Sequence, residues 1–154
     1  IAFSFSTHVK TDDMASTKQD DHRLQKLLVG KRLLVTDDNA TCCTIIEKQA
    51  TSWGMIVHTA ASGKETIAKL HSMQDLGERF DILLIDYDMP HINGLETIRR
   101  INDQFQQLPR HIFLLTGMNK TVASQASDLP IEKILFKPIN GGALKQHLID
   151  ALQR

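Results

Sequence analysis

Five short apolar runs, Leu33 to Val35, Met55 to Val57, Ile82 to Ile85, Ile112 to Leu115 and Ile134 to Phe136, are separated by longer stretches whose apolar residues recur at helical spacing. Continuous apolar runs of this length suit strands buried on both faces. Strands alternating with helices call for a parallel sheet covered on each side by right-handed crossovers. The helical stripes are Cys42, Ile45, Ile46 and Trp53, ending at Gly54; Ile67 and Leu70; Leu95, Ile98 and Ile101; and Leu144, Leu148 and Leu152. Between Gly117 and Pro130 only Val122 and Ala126 suggest a helix. In an open α/β sheet of this kind, chemistry collects where the carboxyl ends of the strands meet the following loops.

The chain has 154 residues, enough for one full core and too few for two comfortable domains. Its 18 basic side chains match 18 acidic ones, so charge gives no reason to expect direct contact with nucleic acid or an anionic membrane. No apolar run approaches a membrane span and no secretory pattern opens the sequence, which reads as a soluble, cytoplasmic segment. Cys42 and Cys43 are adjacent, so a framework disulfide and metal-ligand spacing are both absent, in keeping with ordinary thiols in a reducing compartment. Residues 10–24 are polar and lack a repeating apolar face, so burial cannot offset the entropy of ordering them. The expected organisation is a linker over residues 10–30, mobile over 10–24, and a folded domain over 31–154.

The strand ends carry an unusual set of polar residues. Asp37 and Asp38 follow the first run, Asp86 the third, Thr116 the fourth and Lys137 the fifth. Each alone has a plain structural explanation: Asp38 with Asn39 can cap a helix, Asp86 can open a turn toward Pro90, Thr116 can cap, and Lys137 can be a solvated loop lysine. Together on one sheet edge they form a chemical set. Two carboxylates ~4 Å apart repel by about 4 kcal/mol at an effective dielectric near 20, so the cluster calls for a cation. A hard divalent ion such as Mg2+ suits a site with oxygen ligands and no His or Cys. A lysine and a hydroxyl beside it match what a transferring phosphoryl group needs, and a central carboxylate can act as nucleophile to give an acyl phosphate.

In this order and spacing, "VTDDNA", "LLIDYDMPHINGLE", "FLLTG" and "LFKP" resemble the motifs of the receiver domain of two-component response regulators, over roughly Lys31 to Gln153. The resemblance implies a flavodoxin-like (βα)5 doubly wound sheet with strand order 2-1-3-4-5. It implies Asp86 as phosphoacceptor, Thr116 as the switch hydroxyl and Lys137 as the site lysine, with the Lys137–Pro138 bond cis. Mg2+ would be held directly by Asp38, Asp86 and the backbone carbonyl of Asp88, with Asp37 acting mainly through water. The implied partner is a histidine kinase or histidine phosphotransfer domain. Receivers resembling this one carry Tyr or Phe three residues before the lysine, where the ring swings inward on activation. Here that position is Ile134, and Phe136 stands immediately before Lys137.

Residues 1–9, "IAFSFSTHV", resemble the closing strand of the ATP-binding domain of sensor histidine kinases. That implies a receiver from a hybrid sensor kinase whose parent chain is anchored in the inner membrane. Two other functions fit parts of the pattern. Asp86-Tyr87-Asp88 resembles the Asp-x-Asp pair of haloacid-dehalogenase-like phosphatases, which carry that pair on their first strand and their acidic pair last, the reverse of the order here. A pseudo-receiver would dock partners without phosphoryl chemistry, against which the complete acidic set argues.

Overall fold

The computed structural model describes residues 23–117, 126, 128–137 and 139–153. Five parallel strands, β1 (Arg32–Thr36), β2 (Ile56–Ala60), β3 (Ile82–Asp86), β4 (His111–Thr116) and β5 (Lys133–Phe136), form one sheet in the order β2-β1-β3-β4-β5. The described helices are α1 (Ala40–Ser52), α2 (Gly63–Asp75), α3 (Gly94–Gln104) and α4 (Gly141–Leu152). Strand order and helix placement match the doubly wound expectation. The helix expected between Gly117 and Pro130 lies largely outside the described residues, as do the strand expected over 1–9 and most of the tether expected over 10–24. Among the described residues no helix is long and apolar enough to cross a membrane.

Side-chain alternation along the strands explains both the unbroken apolar runs and the position of the polar residues. Leu33, Val35, Ile82, Leu84, Phe113, Leu115 and Leu135 point to the side covered by α1 and α4. Leu34, Leu83, Ile85, Ile112 and Leu114 point to the side covered by α2 and α3. Every residue of β3, at the centre of the sheet, is buried. Continuing the alternation by one step places Asp37, Asp86 and Lys137 on the α1/α4 side, and Thr36, Thr116 and Phe136 on the other. Thr36 confirms this, because its hydroxyl meets Thr66 of α2 at 2.6 Å.

Each described helix starts on a side-chain oxygen that accepts from the first turn: Asn39, Ser62, Asn93 and Asn140. Such caps, worth about 1 kcal/mol each, stop the chain from carrying strand geometry past the sheet edge. The cap of α1 is thus Asn39, leaving Asp38 free for other work.

Two sequence expectations shift. The face that α1 buries is Cys43, Ile46 and Ala50, with Cys42 half-buried and Ile45 51% exposed. Small Cys43 and Ala50 on that face let the helix approach the sheet closely. Both cysteines are free thiols. Residues 23–30, grouped with a linker from the sequence, pack onto the domain: Leu28 is fully buried, and Leu24 and Leu27 lie against the same core. Their i, i+3, i+4 spacing is an apolar face too short to stand out beside the polar run before it.

Gly94, at the start of α3, lies tightly under the end of β3, where an added Cβ would come within 2.5 Å of the Asp86 carbonyl oxygen and 2.9 Å of Leu114. Gly94→Ala is expected to destabilise the fold by about 1–3 kcal/mol, as overpacking does, read as a lower denaturation midpoint. An unchanged midpoint would show that the β3–α3 junction has slack.

Candidate functional site

The elements deliver their polar ends to one place. β3 runs buried to its last residue, so Asp86 arrives at the sheet edge with only 2% of its surface exposed. Asp37 follows β1, tied into the ladder by its amide, which donates to the Ala60 carbonyl at 3.1 Å, and is equally buried. Asp38, next in the chain, is exposed. Asp37, Asp38 and Asp86 each offer a carboxylate oxygen within 4.8 Å of the others. Lys137, whose amide donates to the Thr116 carbonyl at 2.8 Å, reaches in from the end of β5. Its Nζ lies 2.9 Å from Asp86 Oδ1 and 3.4 Å from Asp37 Oδ2.

The charges are unbalanced: three carboxylates face one ammonium. Burial pushes the Asp86 carboxyl above its ordinary value; Lys137 pulls it back, and the Asp37 carboxylate pushes it up again. For Lys137, burial opposes the charge, but the Asp86 and Asp37 carboxylates outweigh it and hold the ammonium above its usual value. The contact with Asp86 is close but poorly directed, since Oδ1 is buried without a hydrogen bond of good geometry. Asp37 Oδ1, by contrast, accepts from the Asn39 amide at 2.9 Å. An under-satisfied buried carboxylate oxygen in an all-oxygen cluster is what a hard divalent cation would complete, so the donor set fits Mg2+.

Of the residues singled out from sequence, the structure brings Asp37, Asp38, Asp86 and Lys137 together. Asp88 is exposed in the β3–α3 loop, and its carboxylate is not part of the three-acid cluster. Thr116 is buried at the end of β4 and, by strand parity, faces the α2/α3 side. Its partner in the ladder is Phe136, 53% exposed. Ile134 pairs with Leu114 one step back and packs partly buried against the α2/α3-side core. Pro138, and with it the expected cis bond, lies outside the described residues. Sequence reasoning missed Cys43 as a supporting residue. Its buried thiol donates to the Asp37 carbonyl at 3.3 Å, and burial, followed by the Asp37 charge, pushes its pKa to about 11, so it stays a neutral thiol.

The fold and site together define a doubly wound α/β domain with an acidic cluster and a lysine at the carboxyl edge of its sheet. Residues 33–149 match the model of the response regulator receiver domain, and the chain belongs to that family. It is 34% identical over 143 residues to the peroxide stress-activated histidine kinase mak3 of Schizosaccharomyces pombe, covering 89% of this chain and 6% of that one. It is 31% identical over 132 residues to the virulence sensor protein BvgS of Bordetella bronchiseptica, covering 82% of this chain and 10% of that one. The chain thus spans a small part of the length of these two relatives. Among solved structures it resembles a receiver domain from Bermanella marisrubri, with 26% identity and a TM-score of 0.70 over 80% of this chain and 98% of that one. A CheY-like receiver from Methanospirillum hungatei shares the fold, with a TM-score of 0.71 and 21% identity over 80% and 94% of the two chains.

The electrostatics give a signed expectation. A carboxyl whose folded pKa is raised binds protons more readily folded than unfolded. Its charge therefore opposes folding at neutral pH, and that opposition is relieved as pH falls through the raised value. The net direction for Asp86 already includes the attraction of Lys137. Asp86→Asn is expected to raise the melting temperature at pH 7 in metal-free buffer. Mg2+ is expected to raise that of the unaltered chain, by about 2.7 kcal/mol in stability at a hundred times its dissociation constant, and to do much less for the variant. A lower melting temperature for Asp86→Asn without metal would contradict this account of the charge balance.

Proposed function

We propose that this receiver accepts a phosphoryl group on Asp86 from the phosphohistidine of a histidine kinase or histidine phosphotransfer domain, as part of a hybrid sensor kinase phosphorelay. The observation that carries the reading is the buried Asp86 carboxylate, 2.9 Å from Lys137 within a cluster of three acids. The resemblance to a histidine kinase and a virulence sensor protein that are far longer than this chain supports the hybrid context.

Asp38, Asp86 and the Asp88 carbonyl would hold Mg2+, with Asp37 acting through water; the ion supplies charge neutralisation and orients oxygens when bound. The chain's own residues do the rest. Asp86 attacks phosphorus in line; a carboxylate oxygen–phosphorus bond forms as the phosphorus–nitrogen bond breaks, and the electron pair leaves with the imidazole. Lys137 draws the Asp86 carboxyl back toward its ionised form against the effect of burial and then faces the negative charge spread over the phosphoryl oxygens. Thr116, a hydroxyl at the end of the neighbouring strand, turns toward a phosphoryl oxygen and carries the change across the sheet.

Incubation with acetyl phosphate and Mg2+ is expected to add one phosphoryl group by intact mass and none in Asp86→Asn. Equal labelling of the variant would move the acceptor elsewhere. Steady turnover of a phosphomonoester would favour the phosphatase reading, and failure to accept any phosphoryl group would favour a docking module.

The output step departs from the aromatic pattern. Ile134 has no ring, and its β-branched side chain is stiff. The differential contact energy between the two states is smaller without that ring, and a ligand shifts an equilibrium only by such a difference. Beryllofluoride with Mg2+ is expected to change amide exchange over β4, β5 and α4 modestly in the unaltered chain and more in Ile134→Tyr. A large response that Ile134→Tyr does not increase and Phe136→Ala abolishes would place the coupling at Phe136, the ladder partner of Thr116.

A further inference from the structure

The α1–α4 side of the domain is partly covered by the chain's own segment 23–30. Leu28 has no exposed surface and joins the core formed by Leu33, Val35 and Leu148, while Leu24 and Leu27 pack partly buried on the same cluster. The segment's backbone is satisfied locally: the amides of Leu27, Leu28 and Val29 donate to the carbonyls three residues before them, at 3.0 to 3.3 Å. The Lys31 amide does the same to Leu28 at 3.1 Å. Two further links tie it to the domain. The Gly30 amide donates to the Gly54 carbonyl at 2.9 Å, with both glycines in the left-handed region at φ +78° and +89°. Gln25 Oε1 accepts from Lys145 of α4 at 2.6 Å, and the same ammonium stands 6.0 Å from the centre of the Trp53 ring.

We infer that residues 23–30 are a docked strap that fixes where the preceding polypeptide leaves the receiver, rather than the last turn of a free linker. Three leucines on one side of a turn cover apolar surface that the sheet and the two helices leave open, and removing that surface from water favours the docked arrangement. A swivel at this point would expose Leu28 and break both the Gly30–Gly54 and Gln25–Lys145 contacts. The described chain therefore enters the domain at a set position, with Gln25 tied to Lys145 of α4. This goes beyond the phosphoryl-acceptor reading and stands without it.

The test uses the full chain and its single tryptophan, Trp53. Hydrogen exchange of the Leu28, Gly30 and Lys31 amides is expected to be slower than in an unstructured peptide by roughly a hundredfold or more. Leu28→Ala is expected to lower the thermal midpoint and shift Trp53 emission to the red. Gln25→Ala, a change at the surface that leaves the core intact, is expected to increase acrylamide quenching of Trp53. Exchange at the rate of an unstructured peptide overturns the inference, as does a Leu28→Ala chain with an unchanged midpoint and emission. If Leu28→Ala does not fold, exchange in the unaltered chain and quenching in Gln25→Ala decide the matter: protection with increased quenching supports the strap, and loss of either overturns it.

Discussion

A carboxylate buried at the end of a strand that is itself buried on both faces is the constraint on which this domain turns. Asp86 cannot withdraw, because Leu83, Leu84 and Ile85 are packed on both sides behind it and Gly94 closes beneath its carbonyl. Burial of one charge beside Asp37 costs free energy that a single ammonium offsets only in part. The site is thus strained electrostatically in a way that a cation at its mouth would relieve. The rest of the architecture supplies what that strain needs. Lys137 stands 100 residues beyond Asp37 in the chain and is brought to it by a sheet order that lays β3 between β1 and β4, with β5 outside them.

Strand parity divides the labour. The acids and the lysine project with the α1/α4 core, whereas Thr116, Phe136 and Ile134 share the opposite face. A change of charge on one face can reach the other only through the sheet itself, and Thr116 sits where the strand carrying it ends beside both. On the proposed phosphoryl-acceptor reading, Ile134, at the position where the motif resemblance implies an aromatic ring, would leave the far face less to rearrange. The exposed phenyl of Phe136 is aligned with Thr116 in the β4–β5 ladder.

The neutral, buried Cys43 thiol and the docked segment 23–30 both serve the α1 side. One fixes the Asp37 carbonyl from behind, and the other closes the core at the foot of α1 and against α4. Neither was legible in the sequence, for different reasons. A cysteine next to another cysteine draws attention to redox or metal chemistry, and nothing local says that one will be buried against a carbonyl. Leu24, Leu27 and Leu28 follow a long polar run, and three apolar residues carry little periodic signal until the surface they cover is known.

The sequence by itself determined the α/β alternation, the five strands to within a few residues and the identities of the polar groups at their ends. Continuous apolar runs are a consequence of burial on both faces, and that pressure acts on every residue of the central strand. It was weakest at β2, read as Met55 to Val57 and found at Ile56–Ala60, because an edge strand with half-exposed residues has little apolar signal to read. Tertiary structure alone decided which face of α1 is buried, that Asp38 remains exposed while Asp37 is enclosed, and that Lys137 lies nearer Asp86 than Asp37. Those are questions of distance and solvent access between residues far apart in the chain. Spacing along a sequence records neighbours in one dimension, whereas repulsion, desolvation and ion pairing depend on separation in three.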